Sequence, residues 1–324
     1  MSGKGFFFPG QGAQTVGMGR DVAEAYASAR EVFDAANGET GLALDKLCFQ
    51  GPLEDLSRSD VAQPAILTVS IAVLRALAEA TGKPAPAAAA AGLSLGEYSA
   101  LVAAGALGFP EAVRLVQHRG VYMQEACDAS PGTMYSIIGL EDAQVEHACE
   151  TARGKTGGGI WPANYNCPGQ VVISGEEGPA LEAAEACVAL GARRAIRLNV
   201  AGAFHTPLMQ PAAEKLKAEL AEARIQRPAY PVVANVTGQP ASDPEEIRAL
   251  LVRQITSPVR WLDSMRWLIG QGITEYYEVG PGRVLQGLLK RTDPSMACVS
   301  VAGGGDIRAL AEAPTAPKTE RKVQ

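Results

Sequence analysis

The chain has 324 residues, 47% of them hydrophobic and 20% charged, with a formal net charge of −6. That length suffices for one large domain or two moderate ones with ample core, in the composition of an ordinary soluble globular protein. The acidic balance argues against a nucleic-acid binder or a polybasic membrane protein, while leaving room for local basic patches. No apolar run is expected to supply the roughly 20 residues that span a bilayer. The N-terminus runs straight into a short strand without a signal-peptide core. Six cysteines (48, 127, 149, 167, 187 and 298) form no C-x-x-C pair and have no histidine cluster nearby. That pattern points away from a metal site and suits free thiols in a reducing cytoplasm. Cys127, Cys149 and Cys187 fall in helical patterns, where the simplest role is a small buried apolar residue.

In chain order, a strand at 5–8 breaks at Pro9-Gly10-Gln11-Gly12, and a helix is expected over 20–36. Gly10-x-Gly12 lacks the third glycine of a dinucleotide fingerprint, because position 15 is Thr15. Two glycines after a buried strand can instead bring a backbone N–H close to a ligand. Helical spacing runs over 63–80, stopped by Thr81-Gly82-Lys83-Pro84.

Next comes an apolar run at 87–91, then Gly92-Leu93-Ser94-Leu95-Gly96, then a helical stretch at 97–106. A Gly-x-Ser-x-Gly at a strand-to-helix junction is the nucleophile elbow. The turn demands small residues two places either side of the serine, and the helix aims its first N–H groups at an oxyanion formed there. The competing reading is a surface turn whose serine caps the helix. A long helix follows over 110–126, with Pro110 in its first turn.

Between about 128 and 198 the pattern becomes strand 133–140, helix 142–151, strands 157–166 and 170–174 joined at Pro168-Gly169, helix 179–190, and strand 194–198. This β-α-β-β-α-β order is the ferredoxin-like split unit. It is expected as a small subdomain (128–198) inserted into a larger parallel-sheet α/β subdomain (1–127 and 199–302). The return consists of helix 211–223, strand 232–235, helices 244–254 and 259–271, strand 275–279, and a final helix to Arg291. Beyond Ala302, Gly303-Gly304-Gly305 opens a polar segment, 303–324, expected to be disordered.

A serine nucleophile needs a base, most often histidine. His118 and His147 lie inside expected helices and read as half-exposed helix residues. His205, in Gly202-Ala203-Phe204-His205-Thr206-Pro207, sits on a strand-to-helix loop, where catalytic groups concentrate. No carboxylate between 94 and 205 falls at the end of a large-subdomain strand, so the third member need not be an acid. Arg119, followed by Gly120, lies on the helix after the elbow helix. Such an arginine is ordinarily solvated or salt-bridged. If it faces Ser94, it is a fixed bidentate partner for a carboxylate on the acyl group.

These residues carry a resemblance. The chain resembles the malonyl-CoA:acyl carrier protein transacylases, the acyltransferase family of fatty acid and polyketide synthesis. The motifs are Phe8-Pro9-Gly10-Gln11-Gly12-Ala13-Gln14, Gln63-Pro64-Ala65, Gly92 to Leu101, Arg119-Gly120 and Met123-Gln124. Further on are Asn164-Tyr165-Asn166 with Pro168 to Ile173, Phe204-His205, Gln254 with Pro258-Val259, and Glu278-Val279-Gly280-Pro281-Gly282. Coverage runs from about residue 5 to 300.

The resemblance implies an α/β-hydrolase-like large subdomain, an acyl-Ser94 intermediate formed from malonyl-CoA, and His205 as base and then acid. It implies an oxyanion hole from the backbone N–H groups of Gln11 and Leu95. Arg119 would hold the malonyl carboxylate, and the Gln254 main-chain carbonyl would orient His205. Gln63, Met123, Asn164 and Phe204 would line the substrate pocket. Phe204 would fill the space of an α-methyl branch, a modest discrimination of about 1–3 kcal/mol. No cofactor is implied, the partner is an acyl carrier protein, and the family leads us to expect a monomer. Two positions depart from the family pattern: Leu93 where many members have histidine, and Cys167 where serine is usual. Because carrier proteins are acidic, docking calls for a basic patch, and Arg193, Arg194, Lys290 and Arg291 are its candidates. A hydrolase or thioesterase on the same elbow, a transferase using another acyl donor, and a non-catalytic scaffold are the rival readings.

Overall fold

The computed structural model describes residues 3–312. The chain opens with β1 (Lys4–Phe8), α1 (Arg20–Ala25), α2 (Ala27–Thr40), α3 (Leu44–Gln50), α4 (Leu53–Ser57) and α5 (Ser59–Thr81). Then come β2 (Ala87–Gly92), α6 (Gly96–Ala103) and α7 (Phe109–Ala129). The middle segment is β3 (Thr133–Ile138), α8 (Asp142–Thr156), β4 (Ile160–Cys167), β5 (Gln170–Gly175), α9 (Glu177–Ala189) and β6 (Arg194–Arg197). The return supplies α10 (Gln210–Glu222), β7 (Val232–Ala234), β8 (Gln239–Ala241), α11 (Pro244–Gln254) and α12 (Trp261–Gly270). It ends with β9 (Glu275–Val279), α13 (Val284–Thr292), β10 (Ala297–Val301) and α14 (Gly304–Glu312).

Two sheets organise the molecule. The larger has the order β10-β9-β1-β2-β7-β8 and is parallel except for β8, which pairs antiparallel with β7 at one edge. Helices cover both faces, so its central strands read as continuous apolar runs: Phe6, Phe7 and Phe8 in β1, and Ala88 to Ala91 in β2, are buried. The alanines leave room that the larger side chains fill. Phe7 stacks on Tyr276 with ring centroids 4.9 Å apart and meets Trp261 edge-on at 5.2 Å. Phe8 pairs with Gly92 and Ala91 with Val233, so the chain leaves β1, β2 and β7 side by side at their carboxyl ends. That is where open parallel sheets bind ligands.

The smaller sheet has the order β4-β5-β3-β6, antiparallel throughout. Alternation along β3 sends Ile137 into a core shared with α8 and α9, while Met134 packs into the main core of the larger layer. The opposite face of this sheet thus closes over the carboxyl ends of the parallel strands.

Several elements differ from the sequence expectations. The helix expected over 20–36 is two, broken at Tyr26, whose extended backbone (φ −128°, ψ 123°) lets α1 and α2 pack in different directions. Helix periodicity does not register a one-residue break. α5, at 23 residues, is long and apolar enough by length and composition to cross a membrane, contrary to the expectation for this chain; here it is a buried core helix. Helices α3 and α4 and strand β8 are too short to mark themselves, and β10 is a five-residue edge strand left mostly uncovered. The segment opened by Gly303 is not disordered over its first part: Gly304–Glu312 is helical. Asp21 Oδ2 accepts from the Gly304 N–H at 2.7 Å, and Ile307 is fully buried, contacts that local composition does not reveal. The rest of that expected tail, 313–324, lies outside the described residues.

Candidate active site

The elbow is built by close backbone crossing. A Cβ on Gly92 would fall 1.9 Å from the Gly96 carbonyl, and one on Gly96 would fall 2.1 Å from Phe8 O, so neither position admits a side chain. Between them Ser94 takes φ 53°; among the described non-glycine residues only His205, at φ 60°, is also left-handed. Such backbone costs about 1–3 kcal/mol and persists where surroundings enforce it. Here Asn235, one residue past β7, does so: its Oδ1 accepts from Ser94 N at 2.6 Å and its Nδ2 donates to Gly92 O at 2.7 Å.

His205 Nε2 lies 2.9 Å from Ser94 Oγ, and its Nδ1 lies 2.9 Å from the Gln254 main-chain carbonyl at the end of α11. A carbonyl can only accept, so Nδ1 carries the hydrogen and Nε2 is left to accept from the serine. Burial, and then the charge of Arg119, push the His205 pKa down to about 4. The imidazole is therefore neutral at pH 7, in the form that can take a proton. A hydroxyl so placed against an oriented imidazole is an activated nucleophile.

Arg119 reaches the same point from the middle of α7. A Cβ on Gly120 would meet Ser59 O at 2.2 Å, so the glycine lets α7 approach α5 closely. The guanidinium, 1% exposed, donates through Nη1 to Gln63 Oε1 at 2.6 Å. Through Nη2 it donates to Ser94 Oγ and Gln254 Oε1, both at 3.0 Å, and it lies over the Tyr98 ring. Its Nε has no partner among the described residues. All its hydrogen-bond partners are neutral, and burial pulls its pKa down. A buried cation that no carboxylate touches among the described residues is costly, and an anionic ligand would relieve that cost.

Behind Arg119 sits Glu97, in the first turn of α6 and 3% exposed. Its Oε2 accepts from Gln254 Nε2 at 2.6 Å and Asn235 N at 3.0 Å, while burial pushes its pKa up to about 7.

A cavity of about 750 Å³ opens onto these groups between the two sheets. Of the residues expected at the site, Gln11, Ser94, Arg119, Met123, Asn164, Phe204 and His205 line it. Gln254, Leu95 and Gln63 are fully buried and sit behind the wall; Gln63, expected in the pocket, instead braces Arg119 and donates to Met123 Sδ at 3.6 Å. Leu95 immediately precedes α6, and neither its N–H nor that of Gln11 has a backbone acceptor among the described residues.

The model of the acyl transferase domain family matches residues 5–310. This chain belongs to that family. The Escherichia coli (strain K12) protein named malonyl CoA-acyl carrier protein transacylase is 48% identical over 286 residues, 88% of this chain and 91% of the relative. The solved acyl carrier protein S-malonyltransferase of Vibrio cholerae is 42% identical with a TM-score of 0.90, covering 94% of this chain and 99% of that one. A malonyl-transacylase solved in complex with a type II PKS acyl-carrier protein is 41% identical with a TM-score of 0.92, covering 97% of this chain and all of its own. The two-layer arrangement described above is the fold of these transacylases.

Other positions of this acyl transferase now have a place. His118 is held by Glu219 at 2.6 Å on a half-exposed helix face, and His147 is exposed on α8. Leu93 lines the cavity, whereas Cys167 is buried beneath it, its thiol pushed up in pKa by burial. The four basic candidates are exposed, and two of them, Arg193 and Arg291, sit beside one turn. Arg193 packs on Gly139, whose N–H donates to Gly169 O, and Arg291 donates to Gln170 Oε1 on the cavity wall. Asn235 and Glu97 are the site residues that sequence reasoning missed. A polar residue closing the strand at 232–235 was a usable signal for Asn235; nothing local marked Glu97 as buried.

Proposed function

We propose that this acyl transferase moves a malonyl group from malonyl-CoA to the phosphopantetheine thiol of an acyl carrier protein, in fatty acid or polyketide synthesis. The observation that carries this reading is Arg119, buried, hydrogen-bonded only to neutral groups among the described residues and touching Ser94 Oγ: it suits an acyl group with a carboxylate of its own. The names of the relatives support the same donor and acceptor.

Ser94 gives its proton to His205 Nε2 as Oγ attacks the thioester carbon. The oxyanion meets the N–H groups of Gln11 and Leu95, worth about 3–4 kcal/mol each where such donors have been removed. The carbon–sulfur bond breaks, and the imidazolium returns its proton to the CoA sulfur. The carrier thiol then gives its proton to His205, its sulfur attacks the malonyl ester, and Ser94 leaves with the proton restored. Gln254 O keeps the imidazole in the tautomer both halves need. Met123, Asn164 and Phe204 form the acyl wall, with Phe204 against an α-branch. The reaction needs no cofactor. A reducing cytoplasm fits six cysteines that are all unpaired, and the two sheets support 128–198 as a unit separate from 1–127 and 199–302.

The test is intact mass after mixing with malonyl-CoA. A malonyl adduct on the parent, absent in Ser94→Ala and much reduced in Arg119→Ala, is the expected result. CoA release into water without an adduct would favour a hydrolase, and an adduct undiminished by Arg119→Ala would remove the argument for malonyl.

A further inference from the structure

We propose that Glu97 is a positioning residue that aims Arg119 through the side-chain amide of Gln254. Arg119 has two side-chain anchors besides the serine: Nη1 on Gln63 Oε1 and Nη2 on Gln254 Oε1. The second fixes the nitrogen that also touches Ser94 Oγ. It depends on which way the Gln254 amide points, because an amide turned over would present its NH2 group to a guanidinium that can only donate.

Two acceptors hold the amide the right way round. Gln254 Nε2 donates to Ser94 O at 3.0 Å and to Glu97 Oε2 at 2.6 Å, so both hydrogens of the NH2 group are committed. The same Glu97 oxygen takes the Asn235 N–H at 3.0 Å, and Asn235 Oδ1 in turn takes Ser94 N. One buried oxygen thus ties the arm that aims Arg119 to the arm that holds the elbow. The main-chain carbonyl of Gln254, which holds His205, belongs to the end of α11 and does not depend on this link. Losing Glu97 frees the Gln254 amide that aims the guanidinium and leaves the Asn235 N–H without its acceptor, but the direct bonds of Asn235 to Ser94 N and Gly92 O and of His205 to Ser94 and the Gln254 carbonyl remain. Arg119 acts on the carboxylate of the donor, so the loss falls on malonyl and spares an acyl group that lacks one.

This inference rests on the malonyl reading, and the experiment separates the two. Single-turnover CoA release is measured with malonyl-CoA and with acetyl-CoA for the parent, Glu97→Met and Glu97→Gln. Methionine keeps the length of the side chain and removes the acceptor; glutamine keeps an oxygen for both donors. A parent that prefers acetyl-CoA would overturn the malonyl reading itself. Given a parent that prefers malonyl, Glu97→Met lowers the malonyl-to-acetyl ratio about tenfold or more, the scale of a lost hydrogen bond to a charged group, and Glu97→Gln stays within about twofold of the parent. An unchanged ratio in Glu97→Met, an equal slowing of both donors, or a Glu97→Gln as impaired as Glu97→Met would overturn the positioning role. If Glu97→Met does not fold, Gln254→Met cuts the link at its other end, and the same fall in ratio is required.

Discussion

His205 is buried beside a permanent cation, and both facts act on its proton. Burial comes first and Arg119 second, and together they push its pKa from the usual 6.5 down to about 4. Acylation of Ser94 requires the neutral imidazole, so its rate follows the deprotonated fraction. That fraction is nearly complete at pH 7 and falls only as pH drops through about 4, well below where an ordinary histidine would have titrated. Single-turnover CoA release should hold steady from pH 7 to about 5 and then decline. In Arg119→Ala the midpoint should move up, because one of the two effects is gone. A parent midpoint near 6.5 would contradict the burial argument. Of the chemistry at this scale, Ser94 and His205 were legible from their motifs, because each motif is local. The link from Glu97 through Gln254 to Arg119 was not, because its members are 157 and 135 residues apart in sequence.

At the scale of elements, the decisive unit is β2, the elbow and α6. The strand and helix cross so closely that a methyl group on Gly92 would overlap the Gly96 carbonyl. Gly92→Ala must open this crossing, which shifts Ser94 from His205 Nε2 and from the α6 N-terminus together. A misplacement of about 1 Å in such a constellation costs on the order of a hundredfold. Malonyl-serine formation by Gly92→Ala should fall by at least about that factor, read by intact mass over time; formation at the parental rate would show that the crossing is not needed. The elbow could be read from five residues because strand, turn and helix are contiguous. Helix α14 could not, because its stability comes from Asp21 and from α5, far away in the chain. Its own glycine-rich start argues the other way.

Across the whole molecule, the site exists only because the small sheet closes over the carboxyl ends of the large one. Met134, Ser136 and Val172 from the one, and Gln11 and Ser94 from the other, face a common cavity. The resemblance implies an acidic carrier protein, and on a chain whose net charge is −6 its docking would call for local positive charge. Arg193 and Arg291 sit beside the turn at the cavity wall, with Arg194 and Lys290 next to them in sequence, and we propose this group as the docking patch. Exchange of Arg193 and Arg194 together for glutamate should raise KM for carrier protein several-fold while leaving CoA release from malonyl-CoA unchanged. An unaltered KM would remove the patch from the docking surface.

By itself the sequence determined the class of sheet, the β-α-β-β-α-β order of its middle segment, and the candidates for nucleophile and base. Each is encoded in contiguous residues, as an apolar run, a periodicity or a tight turn that only certain side chains permit. Tertiary structure alone decided that Arg119 turns inward onto neutral partners, that Gln63 braces it from behind the cavity wall, that Asn235 holds the elbow, and that Glu97 is buried against Asn235 and Gln254. Those facts depend on where α5, α7, α11 and the end of β7 converge. Burial and charge balance at a point of convergence are sums over distant segments, and no local stretch of chain contains them.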